Sequence, residues 1–217
     1  MCGYLIAINI LKFDFTMNIY HRYLKLPFAY AKPDCFNQSY NHPNIVFVKR
    51  DLIDNSIIDW IGNFGIKVSN VIEGFYTPPN GGKIPMHNDT PALCNATKIN
   101  FTWGPNSSTT RWWKVKNESF LIPVNPDNSH ITAEGIRPDI IVTNAFHAKE
   151  ENCDLVYEKV INRPSLMNIG QLHSTYNPDS AADRWTLCLT LLKQNGDHLQ
   201  FEEALCVFEN HIDAENS

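Results

Sequence analysis

Hydrophobic residues recur at helical intervals within residues 52 to 66, "LIDNSIIDWIGNFGI". The spaced positions are Ile53, Ile57, Ile58 and Ile61, with Trp60 beside them. This spacing predicts a helix that packs one face onto a sheet, because residues three and four apart share a helix face. Asn55 or Ser56 is the expected N-terminal cap.

From residue 68 onward the pattern changes to short β-rich runs separated by turn formers. The runs are "VSNVIEGFYT", "KIPMH", "KINFTWG", "TRWWKV", "SFLIPV", "CDLVYEKVI", "SLMNIGQLHSTY" and "RWTLCLTLL". Between them lie "PPNGG", "GPNSS", "NPDNS" and "NPDSAAD", which are rich in Pro, Asn, Asp and Gly. Short strands at this spacing predict a mainly β protein, a sandwich or a jelly-roll barrel of the kind that cupins have.

We interpret residues 1–217 as a single domain, since no repeat or linker divides the chain. Residues 1–67 are expected to brace one face of the barrel, with their helical elements packed on it. Residues 68–193 form the barrel core and 194–217 a C-terminal extension. The stretch 125–150 is the least regular and is interpreted as an insertion over the barrel mouth.

Composition and charge narrow the classes of partner. A net charge of −5 and a pI near 5.9 argue against nucleic acid as the partner. No run approaches the roughly 20 apolar residues of a membrane helix. "MCGYLIAINILKF" lacks the flanks of a signal peptide and is expected to be a first strand. The six cysteines contain no C-x-x-C pair and fit reduced thiols in the cytoplasm.

The strongest chemical signal is "IPMHNDTP", residues 84 to 91. If "KIPMH" is a strand, alternation puts Ile84 and Met86 on one face and His87 on the other, with Asp89 just past its end. A later strand supplies His173. Two imidazoles and one carboxylate on one side of an ion suit Fe(II) and leave positions open for other ligands. The alternative for His87 and Asp89 is a polar turn after a strand.

Arg184 and Thr186 follow, two residues apart on one face of "RWTLCLTL". A guanidinium offers a planar fork that matches a carboxylate, so an arginine buried beside a metal favours an acid such as a dicarboxylate. Without an anion it would be a costly buried charge.

This pattern on a β-rich chain resembles the 2-oxoglutarate and Fe(II)-dependent oxygenases, with their double-stranded β-helix core. The resemblance covers roughly residues 68 to 193. It implies that His87, Asp89 and His173 bind iron and that Arg184 with Thr186 holds the far carboxylate of 2-oxoglutarate. "KINFTWGPNSSTTRWW" is similar to the strand-turn-strand of small phage-type and aspartyl/asparaginyl hydroxylase-like members. The interval from Asp89 to His173 is longer than usual, which we attribute to the 125–150 insertion.

The resemblance implies a dioxygenase that uses 2-oxoglutarate and dioxygen, hydroxylates a second substrate, and releases succinate and CO2. A peptide side chain is the first expectation for that substrate, and a free amino acid or small metabolite the next. Three alternatives stay open: a jelly-roll binding module without turnover, a nucleobase oxygenase, and a cupin-type metal enzyme that needs no 2-oxoglutarate. The acidic balance counts against the second, and Arg184 counts against the third.

Three further expectations concern side chains near the iron. Asn100, inward by alternation, and Tyr76 are candidates for hydrogen bonds to the oxo acid. His147 is the alternative third ligand. Of the neighbours Trp112 and Trp113, at most one can line the pocket, because they point to opposite faces of a strand.

Overall fold

The computed structural model describes residues 18–89, 95–123 and 146–213, with the backbone of 131–132 and 135–136. The first strand expected within "MCGYLIAINILKF" and most of the expected 125–150 insertion lie outside the described residues. Cys35, Cys153, Cys188 and Cys206 are free thiols. No helix in the described part of the chain is long and apolar enough to cross a membrane.

Two antiparallel sheets, each of six strands, dominate the described part of the chain. Strands are numbered in chain order. In spatial order, the first sheet contains β1 (His21–Tyr23), β12 (Ser165–Asn168), β5 (Thr97–Trp103), β14 (Arg184–Leu192), β3 (Lys67–Thr77) and β2 (Asn44–Phe47). The second contains β11 (Cys153–Lys159), β6 (Thr109–Val115), β13 (His173–Asn177), β4 (Gly82–His87), β10 (Phe146–His147) and β7 (Ile122–Pro123). A separate pair joins β8 (Ile131–Thr132) to β9 (Gly135–Ile136).

The chain alternates between these sheets. It passes from β3 in the first to β4 in the second, back to β5, across to β6, and later from β11 through β12 and β13 to β14. Strands β12, β5, β14 and β3 therefore face β11, β6, β13 and β4. This winding is that of a double-stranded β-helix, so the predicted jelly-roll core is confirmed.

Two of the eight predicted runs differ from the observed strands. "SLMNIGQLHSTY" contains two strands, β12 and β13, because the chain crosses between the sheets near Gly170, whose N–H donates to the Asn168 side chain. "SFLIPV" contains only the two-residue β7, after a 3-10 turn over Glu118–Phe120.

The predicted helix is present as α1 (Asn55–Gly62), and it buries Ile57, Trp60 and Ile61. Its cap is Asp54, not Asn55 or Ser56: the Asp54 carboxylate accepts a hydrogen bond from the Ser56 N–H at 2.9 Å. An aspartate in this position satisfies a backbone N–H that the helix leaves without a partner.

The largest hydrophobic core lies between the first sheet and the two helices, α1 and α2 (Phe201–Val207). Ile61 and Phe201 belong to the same buried cluster as Phe101 and Leu187 of the sheet. The described part of residues 1–67 thus packs on one face of the barrel, and α1 is the expected N-terminal helical element there. This part of the chain also extends the first sheet with an edge strand on each side, β1 and β2, and α2 joins it from the C-terminal extension.

Candidate metal centre

His87 and Asp89 lie where β4 ends, next to a bulge. Thr175 of β13 is paired with Ile84, and His173 is paired with His87. Between these two pairs, β4 contains one residue more than β13. The bulge reverses part of the expected alternation. Ile84 and His87 line the same cavity, whereas Met86 packs in a separate cluster. An inserted residue shifts all later side chains to the opposite face, which explains the difference.

The structure brings His87, Asp89 and His173 together. One ligand atom from each can be chosen so that all lie within 4.8 Å of one another. The Asp89 Oδ1 is 3.0 Å from the His87 Nε2, and the Asp89 Oδ2 is 3.7 Å from the His173 Nε2. The side chains are 17%, 12% and 12% exposed for His87, Asp89 and His173, so an ion there would keep one open side.

The two imidazoles are oriented by backbone carbonyls. The His87 Nδ1 is 2.7 Å from the Pro85 carbonyl, and the His173 Nδ1 is 2.9 Å from the Gln171 carbonyl. Since a carbonyl only accepts hydrogen bonds, each Nδ1 carries a proton, and Nε2 is the ring atom that would bind a metal. Such contacts fix the tautomer and ring orientation of metal-binding histidines.

The protonation states of His173 and Asp89 suit a cation. Burial lowers the pKa of His173 to about 4, so the ring is neutral at pH 7. Burial would raise the pKa of Asp89, but Lys98 and His87 outweigh it and hold that pKa well below its usual range. For His87, burial is outweighed by Asp89, which raises the pKa of the imidazole, so a metal would have to displace a proton from this ring. Two nitrogens and one carboxylate oxygen make a donor set that fits Fe(II).

Lys98 lies beside Asp89, and sequence reasoning missed it. Its side chain is only 4% exposed, and its Nζ lies 2.8 Å from the Glu73 Oε2 and 3.0 Å from the Asp89 Oδ2. These carboxylates outweigh the effect of burial and raise the pKa of the amine. The signal was available in β5, where Lys98 shares the inner face with Asn100, opposite the hydrophobic Ile99.

Arg184 begins β14, opposite Thr77. It is 2% exposed, and one terminal nitrogen donates to the Thr110 hydroxyl at 3.0 Å. Its Nε and its Nη1 are buried with no partner among the described residues, where no carboxylate lies within ion-pair distance either. Burial lowers the pKa of this guanidinium to about 10. Thr186, on the same face, has its hydroxyl 3.3 Å from that of Thr102.

One cavity connects the three-ligand group to the arginine. It is lined by Phe75, Ile84, His87, Asp89, Asn100, Thr110, Met167, His173, Thr175, Arg184, Thr186 and Cys188. Its empty volume, including the opening to solvent, is about 400 Å³. Asn100 faces inward as expected, and its Oδ1 is buried without a partner among the described residues.

Tyr76 and His147 do not reach this cavity. The Tyr76 ring packs against Trp185 and Tyr40, with centroids 5.0 Å and 5.2 Å away, on the opposite face of the first sheet. Alternation explains this, because Phe75 faces inward. His147 is paired with His87 across β10 and β4, but its side chain is exposed and its Nδ1 lies 3.3 Å from the Met86 carbonyl. Both placements correct our expectations.

Neither Trp112 nor Trp113 lines the cavity. Trp112 is fully buried and packs with Tyr20, His21 and Tyr157. The Trp113 ring nitrogen donates to the Ser174 hydroxyl at 2.9 Å. The two tryptophans therefore belong to different clusters, as expected for neighbours on a strand.

Comparison with known proteins finds no matching family model and no matching curated protein. Among solved structures, an oxalate oxidase in complex with the substrate analogue glycolate matches at 10% identity and a TM-score of 0.33, over 74% of this chain and 55% of its own. A structure on the mechanism of oxalate oxidase matches at 12% identity and a TM-score of 0.31, over 78% and 72%. This chain thus spans about half the length of the first, and similarity this low does not extend their activity to it.

Proposed function

We propose that the protein is an Fe(II)- and 2-oxoglutarate-dependent dioxygenase that hydroxylates a second substrate and releases succinate and CO2. His87, Asp89 and His173 would hold the iron. Arg184, with Thr186, would bind the far carboxylate of 2-oxoglutarate, and Asn100 would contact its oxo acid end. When bound, the iron supplies the activation of dioxygen, and the residues of the chain bind, orient and shield the reactants.

Arg184 is the observation that carries this proposal. A buried guanidinium without an anion costs several kcal/mol in general, and removal of that cost needs a partner with negative charge. Two of its nitrogens are buried without a partner among the described residues, and they line the same cavity as the three-ligand group. A dicarboxylate can meet both ends of this cavity at once, because one carboxylate pairs with the guanidinium and the other end reaches the metal ligands.

The charges of the cavity support the same ligands. Asp89 and Glu73 contribute two negative charges, and Lys98 and Arg184 two positive charges, so the buried groups sum to zero. A divalent cation alone would leave two positive charges in a poorly solvated space. A divalent cation with a dianion restores neutrality, which favours a metal and a dicarboxylate that bind as a pair.

The main alternative is a barrel that binds a metal without 2-oxoglutarate, either non-catalytic or a cupin-type enzyme. The three-ligand group supports this alternative as well, because it can hold a metal whether or not a dicarboxylate binds.

The decisive experiment is anaerobic titration of the Fe(II)-loaded protein with 2-oxoglutarate. We expect the visible charge-transfer band of a chelated oxo acid. In Arg184→Met, the concentration that gives half of the band should rise about 10- to 100-fold, the loss expected for a charge-assisted contact of about 1.5–3 kcal/mol. Arg111→Met is the matched control, because Arg111 pairs with Glu158 outside the cavity. The absence of a band, or equal titrations for the Arg184 and Arg111 variants, would contradict the proposal.

The second substrate is proposed from the family resemblance as a peptide side chain or a free amino acid. Succinate release, measured across peptides, amino acids and nucleosides, should rise with the substrate and thereby identify its class. The free thiols of the described cysteines are typical of a reducing compartment, and we propose the cytoplasm as the place of action.

A further inference from the structure

The two oxygens of Asp89 face different partners. Oδ1 lies 3.0 Å from the His87 Nε2, within the three-ligand group. Oδ2 lies 3.0 Å from the Nζ of Lys98 and 3.7 Å from the His173 Nε2. One oxygen is therefore engaged by an ammonium that comes from another strand, β5.

Lys98 is fixed independently of Asp89. Its ammonium lies 2.8 Å from the Glu73 Oε2 and 5.7 Å from the centroid of the Phe75 ring. Glu73 and Phe75 belong to β3, which is separated from β5 by β14 in the first sheet. Because Glu73 and Phe75 of the sheet fix the ammonium, Lys98 positions Asp89 and not the reverse. Asp89 lies where the chain leaves β4.

We propose that Lys98, anchored by Glu73, is a positioning residue that keeps Asp89 a one-oxygen ligand of the metal. This inference rests on the metal centre of the proposed function. A carboxylate that binds with both oxygens takes two coordination positions, whereas one oxygen leaves a further position for the cosubstrate. The hydrogen bond from Lys98 occupies Oδ2 and directs Oδ1 to the metal, as contacts to ligating carboxylates generally do.

A purely electrostatic role for Lys98 predicts the opposite change in metal affinity. If the amine acted only through its positive charge, it would repel a cation, and its removal would strengthen metal binding. If it positions Asp89, its removal weakens binding, because the carboxylate is free to turn. Replacing Lys98 together with Glu73 removes one charge of each sign, so that the net charge of the cavity is unchanged and the positioning effect is isolated.

The test is titration of the metal-free protein with Co(II), followed by the visible spectrum and by competition with a chelator. Lys98→Met/Glu73→Gln should lower Co(II) affinity about 10- to 100-fold, the range found for partners of ligating groups, and should shift the spectrum toward a different coordination number. Lys98→Arg, with Glu73 unchanged, should keep much of the Co(II) affinity and of the original spectrum. Lys83→Met is the control, since Lys83 is an exposed lysine on β4 whose partner is Glu150.

The outcomes separate the two proposals. A thermal melt establishes that each variant is folded, and the single variant Lys98→Met serves where the double variant does not fold. Unchanged or tighter Co(II) binding with an unchanged spectrum overturns the role of Lys98 and leaves the metal centre intact. If the unaltered protein binds no Co(II), Fe(II) or Mn(II), the metal centre fails and the role of Lys98 fails with it.

Discussion

Replacing Arg184 with methionine should make the protein more stable while it loses affinity for 2-oxoglutarate. Burial lowers the pKa of this guanidinium well below its usual range, to about 10. At about 1.36 kcal/mol per unit, the charged form costs the folded state about 3 kcal/mol. Because the pKa of the folded state is the lower one, this cost is present in full at pH 7 and is relieved only as the pH rises above about 10.

The net gain is smaller than this cost. Methionine keeps most of the length and packing of the side chain but gives up the hydrogen bond to Thr110, worth about 1 kcal/mol. We therefore expect a gain of about 2 kcal/mol in the free energy of unfolding without ligands. For a chain of this size, that corresponds to a rise of about 4–8 °C in Tm.

Scanning calorimetry of both proteins, with and without Fe(II) and 2-oxoglutarate, measures both effects. Fe(II) should raise the Tm of both proteins, and the further rise on adding 2-oxoglutarate should be large in the unaltered protein and small in Arg184→Met, since only the former binds the diacid tightly. A variant less stable by 1 kcal/mol or more without ligands would refute the reasoning, because it would mean that Arg184 already has a stabilising partner in the free protein.

Three further predictions concern other parts of the barrel. Burial and Lys159 lower the pKa of His21 to about 3, so the unfolded chain takes up the proton first and the free energy of unfolding should fall by about 2 kcal/mol as the pH drops from 7 to 5. Urea unfolding at the two pH values should show this loss, and His21→Gln should lack it. An equal loss in both proteins would contradict the prediction. His87→Ala should abolish Co(II) binding and succinate release, whereas the control His147→Ala keeps both; turnover in His87→Ala would remove that ligand. In Gly104→Ala, the new Cβ would lie 3.0 Å from the Cα and Cβ of Arg184, so Arg184 has to shift. Half-saturation by 2-oxoglutarate should then need several-fold more ligand, while Co(II) affinity stays the same. A parallel loss of both affinities would show general damage to the fold.

Much of the fold follows from local patterns in the sequence. Period-2 runs marked most strands of the barrel, and the helical spacing marked α1. The helix α2 was missed although it carries a visible signal, since Gln200 and Glu203 form a capping box at its start. Asp54 was passed over as the cap of α1 in favour of its two successors, because residues that can cap stand side by side there and only backbone angles decide among them.

The candidate site was less accessible to such reasoning. His87, Asp89, His173 and Arg184 were singled out by a pattern along the chain, but their convergence depends on the register between strands. The bulge in β4 could not be predicted, because it exists only in relation to β13. Tyr76 was assigned to the wrong face although its parity along β3 excludes it from the interior.

The alternation of the chain between the two sheets has a kinetic consequence. Partners in each sheet come from distant parts of the sequence: β13 lies between β4 and β6, and β14 between β3 and β5. Closing such long loops costs entropy before the contacts repay it, so folding should be slow for a protein of this size. The three ligands meet only after β13 has inserted between β4 and β6. The rate at which metal binding recovers during refolding therefore reports how fast the barrel is completed.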